Sequence, residues 1–383
     1  MGNLLEYVRT EFRTFADKPF SAVDSLVLSD FSYVHPPMAV VPAFDAAKTV
    51  ATVPLGAMLR AEDYPDMFCA GSESVNRERL DLLRALAESP RWRGLAIGES
   101  AEHTDPASET QFAAMTFDLT DCTGYGSRNP TLYVAFRGTE GTLVGWKEDF
   151  NMAVTFPVPA QRLAADYLRS IAVRSAGPFG GNPVQLMVGG HSKGGNLATY
   201  ATMMLEQHGE TGRVSRIFSH DGPGFPAAVV QSDGYRDVEG RIDKTVPESS
   251  IIGMLLDSGA QRTVVRSDAV SILQHMCGTW QIADGEFETV PELTRGAQLI
   301  DRTISGWLDR IPEERRRIVV DEVYGIFAAA GYGQFADLAQ HWTEALPKIV
   351  AAARGTDPEA RAVIASVLKA IPQSAARSLK DER

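Results

Sequence analysis

The sequence predicts an α/β fold: a mostly parallel central sheet with flanking helices and an appended C-terminal helical region. Three observations predict it. Val184–Val188 is a short apolar run bounded by turn formers. It leads through a glycine-rich turn into Asn196–Leu205, a stretch rich in Ala, Leu and Met, so strand, turn and helix follow one another directly. Other strand-like runs on both sides of this unit are separated by segments of helical periodicity, the pattern of a sheet covered by helices. From Pro291 onward only helical periodicity remains.

Taken in order, Leu4, Leu5, Val8, Phe12 and Phe15 recur at helical spacing, which predicts an amphipathic helix over 2–15. A second helix is expected within Pro19–Phe31. The proline-rich stretch 35–58 reads as irregular, and Leu80, Leu83, Leu86 and Ala87 predict a helix over 78–89. Strands are expected at 95–100, 111–117 and 131–136, with a polar turn at 121–130. Adjacent strands joined by a tight turn make a hairpin, so antiparallel strands should lead into a parallel core. A crossover helix over 161–173 leads through a loop at 177–183 to the strand at 184–188, and further strands are expected at 214–219 and 262–267. Helices are expected at 297–311, 312–331, 334–352 and 357–371. The expected division is a core with an N-terminal helical extension over 1–290 and a C-terminal helical region over 291–383, packed on or beside it.

The 383 residues, 44% hydrophobic and 22% charged, are enough for a large buried core. A net charge of −12 argues against a nucleic-acid partner or electrostatic binding to an anionic membrane. Cys69, Cys122 and Cys277 have no metal-site or disulfide-frame spacing. The charged first twenty residues lack a signal-peptide core, and no run is long enough to span a membrane. The resulting expectation is a cytoplasmic protein without cofactor or metal, with any lipid contact transient; its oligomeric state is open.

Gly190-His191-Ser192-Lys193-Gly194 fits Gly-x-Ser-x-Gly between a strand and a helix, the setting of a nucleophile elbow. A serine at such a turn adopts strained backbone angles and leaves no room for side chains two residues away, hence Gly190 and Gly194. The turn also places the Lys193 N–H at a helix N-terminus, where it can face an oxyanion. Phosphate-loop and dinucleotide spacings do not fit these glycines. This unit points to an α/β-hydrolase fold, in which the triad runs in the order serine, acid, histidine. Four histidines follow Ser192: His208, His220, His275 and His341. His208 is too close in sequence to return over the serine, and His341 lies in the helical tail. His275, just beyond the last core strand, is the expected base, and His220 ends an earlier strand.

Phe136-Arg137-Gly138-Thr139, followed by Gly145-Trp146-Lys147-Glu148-Asp149, resembles the oxyanion strand and the start of the lid in class 3 lipases. The segments His191–Asn196, His220–Phe225, Pro247–Leu255 and Gln274-His275, with the opening Pro19–Tyr33, resemble the Mbeg1-like family of lipase-like α/β-hydrolases. The likeness runs from about residue 19 into the C-terminal helices. Met276-Cys277 departs from the family's longer motif around the base. The resemblance implies that Thr139 supplies an oxyanion donor beside Lys193. It leaves three candidates for the acid. Asp221 is favoured, at the strand after the nucleophile helix, with an Asx turn as its bland alternative. Glu248 and then Asp243 follow, near a Val-Pro pair one strand later. Trp146 is expected to pack a flap, and Asp149 to pair with Arg137 or cap a helix. Glu140–Pro159 is the expected lid, and Ile251–Leu256 is expected to be core or an acyl pocket.

The expected function is a serine hydrolase acting on carboxylic esters or lipid-like acyl substrates. Its alternatives are a thioesterase or amidase on the same triad, and a catalytically silent binding module.

Overall fold

The computed structural model describes residues 2–123, 131–140, 143–152, 154–176, 184–269, 271–298, 313–331, 342–356, 358 and 361. Eight strands form the main sheet: β1 (Thr52–Pro54), β2 (Ala96–Asp105), β3 (Thr110–Asp118), β4 (Thr131–Phe136), β5 (Gln185–His191), β6 (Val214–His220), β7 (Ile242–Pro247) and β8 (Arg262–Val265). Their order in space is their order in the chain. The first four pair antiparallel and the rest run parallel from β4. With a sharp strand-to-helix turn after β5, this is an α/β-hydrolase fold.

The strand order decides where the helices go. Right-handed connections between parallel strands added in one direction all land on one face. The crossover helices α5 (Pro159–Arg174), α6 (Lys193–Gln207) and α7 (Asp233–Glu239) accordingly share one apolar cluster with Leu132, Val134, Phe136, Val188 and Ile217. The opposite face presents Tyr133, Ala135, Met187 and Phe218. It is covered by the N-terminal segment: α1 (Leu4–Thr10), α2 (Ala22–Phe31) and α3 (Glu73–Glu88). Alternate residues of β4 therefore enter two different cores, and all six of its residues are buried.

Helix α2 is buried almost all round, as a helix sandwiched between sheet and outer helices must be: Val23, Leu26, Val27, Leu28 and Phe31 have no exposed surface, and neither do Asp24, Ser25 and Ser29. Its start is a capping box of Ser21 and Asp24. Buried Asp24 also accepts from Tyr7 Oη at 2.8 Å and from Arg91 Nε and Nη2 at 2.9 and 2.6 Å, which joins α1 and the segment after α3 to α2.

Several elements differ from expectation. Helix α1 stops at Thr10, because the Glu11 carboxylate turns back onto the Arg13 N–H and guanidinium. Strand β2 continues to Asp105 through charged residues, with a bulge at Gly98–Ala101 where Glu99 has φ +53. β1 lies inside the stretch expected to be irregular. A helix, α4 (Leu143–Asn151), occupies the expected lid. Of the C-terminal helices, α8 (Glu313–Ala328) and α9 (Trp342–Ala353) are described. Lys147 on α4 pairs with Asp321 on α8 and lies 5.2 Å from the Tyr324 ring centre. Most of the expected helices 297–311 and 357–371, the turn 124–130, the loop 177–183, His341 and the Trp146 side chain lie outside the described residues.

Candidate active site

Ser192 sits between β5 and α6 with φ +58 and ψ −134, a conformation that non-glycine residues rarely hold. The surrounding structure enforces it: Ser192 N–H donates to the His220 carbonyl at 2.9 Å, and Gly195 N–H to the Ser192 carbonyl at 3.0 Å. A Cβ on Gly190 would strike the Phe136 carbonyl and the Gly194 backbone, and one on Gly194 would strike the Phe136 carbonyl. Both glycines of the motif are there for space.

His275 ends a 3-10 turn, Ser271–His275, beyond β8. Its Nδ1–H donates to Asp221 Oδ2 over 2.6 Å, which leaves Nε2 as the unprotonated nitrogen. Asp221 follows β6, is fully buried and has φ +49. Its backbone N–H donates to the Thr245 carbonyl at 2.7 Å. Its other oxygen, Oδ1, accepts from Ser250 Oγ at 2.5 Å and Gly253 N–H at 3.1 Å. The apolar run 251–256 therefore contributes a backbone donor to this carboxylate, while Met254 packs into a small core with Val246, Val264 and Leu293. The other two acid candidates lie apart from the histidine. Asp243 pairs with Arg216 at 2.8 Å, and the Glu248 backbone bridges Val265 and Thr294.

The Arg137–Thr139 segment runs beside Ser192: a Cβ on Gly138 would lie 2.6 Å from the His191 carbonyl and 3.0 Å from Ser192 Cβ. Thr139 Oγ1 donates to Asp149 Oδ2 at 2.6 Å. The backbone N–H groups of Thr139 and Lys193 have no partner among the described residues. The expected Asp149–Arg137 pair does not form. Arg137 bonds instead to Glu140, to Glu102 at 2.7 Å and to the Ser32 and Val34 carbonyls, because its side chain points toward the N-terminal layer. Burial pushes the Asp149 carboxyl upward, against the pull of Lys193.

The Lys193 side chain is 1% exposed and turns under α4. Its Nζ donates to Glu148 Oε2 at 2.8 Å and to the Gln111 carbonyl at 2.9 Å. Glu148, 0% exposed, also accepts from the Gln111 and Ala160 N–H groups at 3.0 and 2.9 Å. The expected lid helix is thus bound to β3, α5 and the start of α6 through one carboxylate. Lys244, another buried lysine, donates to the Gly222 carbonyl at 3.0 Å, next to Asp221; burial lowers it to about 8.

The other histidines do other things. His220 is fully buried, shares a 2.9 Å hydrogen bond with Ser25 Oγ, and is lowered by burial to about 3. His208 caps the end of α6. His35 lies 3.0 Å from Glu102. Sequence reading passed over His191 beside Ser192, Glu148, Lys244, and the Ser250 and Gly253 donors. Spacing carries no signal for partners that meet only when β5, β6 and β7 align.

A family model described as Mbeg1-like matches residues 86–325. Among solved structures, that of M37 lipase has a TM-score of 0.40 and 12% identity, over 61% of this chain and 70% of that one. The lipase of Rhizopus microsporus var. chinensis has a TM-score of 0.32 and 15% identity, over 60% of this chain and 84% of that one. No curated protein matches the chain.

Proposed function

The chain belongs to the Mbeg1-like family, and from that premise we propose that it is a serine hydrolase of carboxylic esters or lipid-like acyl substrates, with Ser192, His275 and Asp221 as its triad. The observation that carries this reading is the 2.6 Å bond from His275 Nδ1 to Asp221, made beside a serine held at φ +58. His275 Nε2 takes the Ser192 Oγ proton as Oγ attacks the acyl carbonyl. The Thr139 and Lys193 N–H groups face the developing oxyanion, and Asp221 faces the imidazolium. Nε2 then returns the proton to the leaving alkoxide, and a water deprotonated by His275 cleaves the acyl-enzyme to a carboxylate. These steps require no cofactor.

Leu273 and Met276, on either side of His275, are 51% and 39% exposed. An apolar rim at the base supports an acyl chain as the substrate's recognised part, with a small-molecule or lipid-like ester as partner. Thioester or amide substrates would follow the same steps.

Labelling with a fluorophosphonate probe tests the proposal. Wild type should label, Ser192→Ala should not, and His275→Ala should label far more slowly. Folded wild type that stays unlabelled, in detergent as well as in buffer, would overturn the enzyme reading in favour of a binding module.

A further inference from the structure

This inference rests on the triad proposed above and concerns the residue before the nucleophile. His191 ends β5 and is 5% exposed. Its Nε2 lies 2.7 Å from the backbone carbonyl of His275, and its Nδ1 lies 3.2 Å from the Tyr33 hydroxyl. A carbonyl only accepts, so Nε2 carries the proton and donates to His275. Nδ1 is then bare and accepts from the Tyr33 O–H. The two partners fix one neutral tautomer. Burial, and then the charges of His275, His220 and the Arg79 guanidinium, which lies 4.5 Å from the centre of the Tyr33 ring, oppose a second proton on the ring and outweigh the His275 carbonyl, which favours it.

The His191 and His275 rings lie 4.4 Å apart, tilted by 38°. His275 belongs to no strand, and the 3-10 turn that carries it follows the end of the sheet. The Asp221 bond holds its ring at one nitrogen, and the Trp280 indole N–H holds the carbonyl of the preceding Gln274 at 2.7 Å. His191 adds a point from the elbow itself, through the carbonyl of His275. We propose that His191 is a positioning residue: it registers the general base on the nucleophile, and Tyr33, at the end of the N-terminal layer, holds it in the donating tautomer. The layer over the sheet then belongs to the catalytic assembly as well as to the core.

The test is steady-state hydrolysis of p-nitrophenyl butyrate by the full chain. A shift of about 1 Å at a catalytic group lowers turnover about 100-fold. His191→Phe, which keeps a ring and removes both bonds, should lower kcat by about that factor with KM within about threefold. His191→Gln, whose side-chain amide can still donate to the His275 carbonyl, should recover at least about tenfold of the loss, and Tyr33→Phe should lower kcat several-fold at constant KM. Fluorophosphonate labelling should go to completion in all three, at rates that fall with kcat. Wild-type kcat in folded His191→Phe, or a change confined to KM, would overturn the proposal while the triad stands. If His191→Phe does not fold, His191→Gln and Tyr33→Phe decide: an unchanged kcat in Tyr33→Phe overturns the proposal, and a kcat lowered at constant KM in both supports it. Unlabelled wild type would instead remove the triad on which the proposal rests.

Discussion

Asp221 is a non-glycine residue at φ +49, a conformation that costs of order 1–3 kcal/mol and persists only where the surroundings demand it. Here the Thr245 carbonyl, Ser250, Gly253 and His275 all bond to it. Asp221→Asn should retain the fold and lose about 10⁴-fold in kcat, because an amide can favour the wrong tautomer of His275. Asp243→Asn and Glu248→Gln should stay within a few-fold of wild type; ester hydrolysis by the three variants reads this directly. Ser192, Gly190 and Gly194 were legible because one sharp turn spells its own requirements. The acid was ambiguous because Asp221, Asp243 and Glu248 all satisfy the chain order. Only strand register places Asp221 against a histidine 54 residues away.

Helix α4 was not legible as a helix. Its segment carries Gly145 and a run of charges, and what orders it comes from elsewhere in the chain: Lys193, the Gln111 backbone and the Ala160 N–H all converge on Glu148. In contrast, α2 announced itself, since Ser21 and Asp24 form a local cap before an apolar stretch. A charge pair this deeply buried is strongly destabilising when half of it is removed. Lys193→Met and Glu148→Leu should each lower stability by about 3–5 kcal/mol, and the double variant should recover most of that loss. A double-mutant cycle by urea unfolding gives the coupling; additive losses would mean that the pair does not hold α4 in place.

At the scale of the whole molecule, two histidines among the described residues are held neutral by burial: His220, lowered to about 3, and His191, lowered well below its ordinary value. The unfolded chain protonates both near pH 6.5, while the folded chain resists. The unfolded state therefore binds more protons below that pH, and stability present above 6.5 is lost as pH falls. The urea midpoint should drop between pH 6.5 and 5, and drop less in His220→Gln; parallel curves would show that His220 titrates alike in both states. The overall class was readable from alternating strand and helix signals, but which face the N-terminal helices cover was not, because it follows from the strand order in space. That order also bears on biosynthesis. The Ser25–His220 bond spans 195 residues, so β6 leaves the ribosome long after α2 is complete. At synthesis rates of about 5–20 residues per second, the apolar surfaces of α2 wait roughly 10–40 s for the sheet they will cover. During that interval only α1, α3 and the segment after α3 are at hand to pack on α2, and its sheet-facing side stays open.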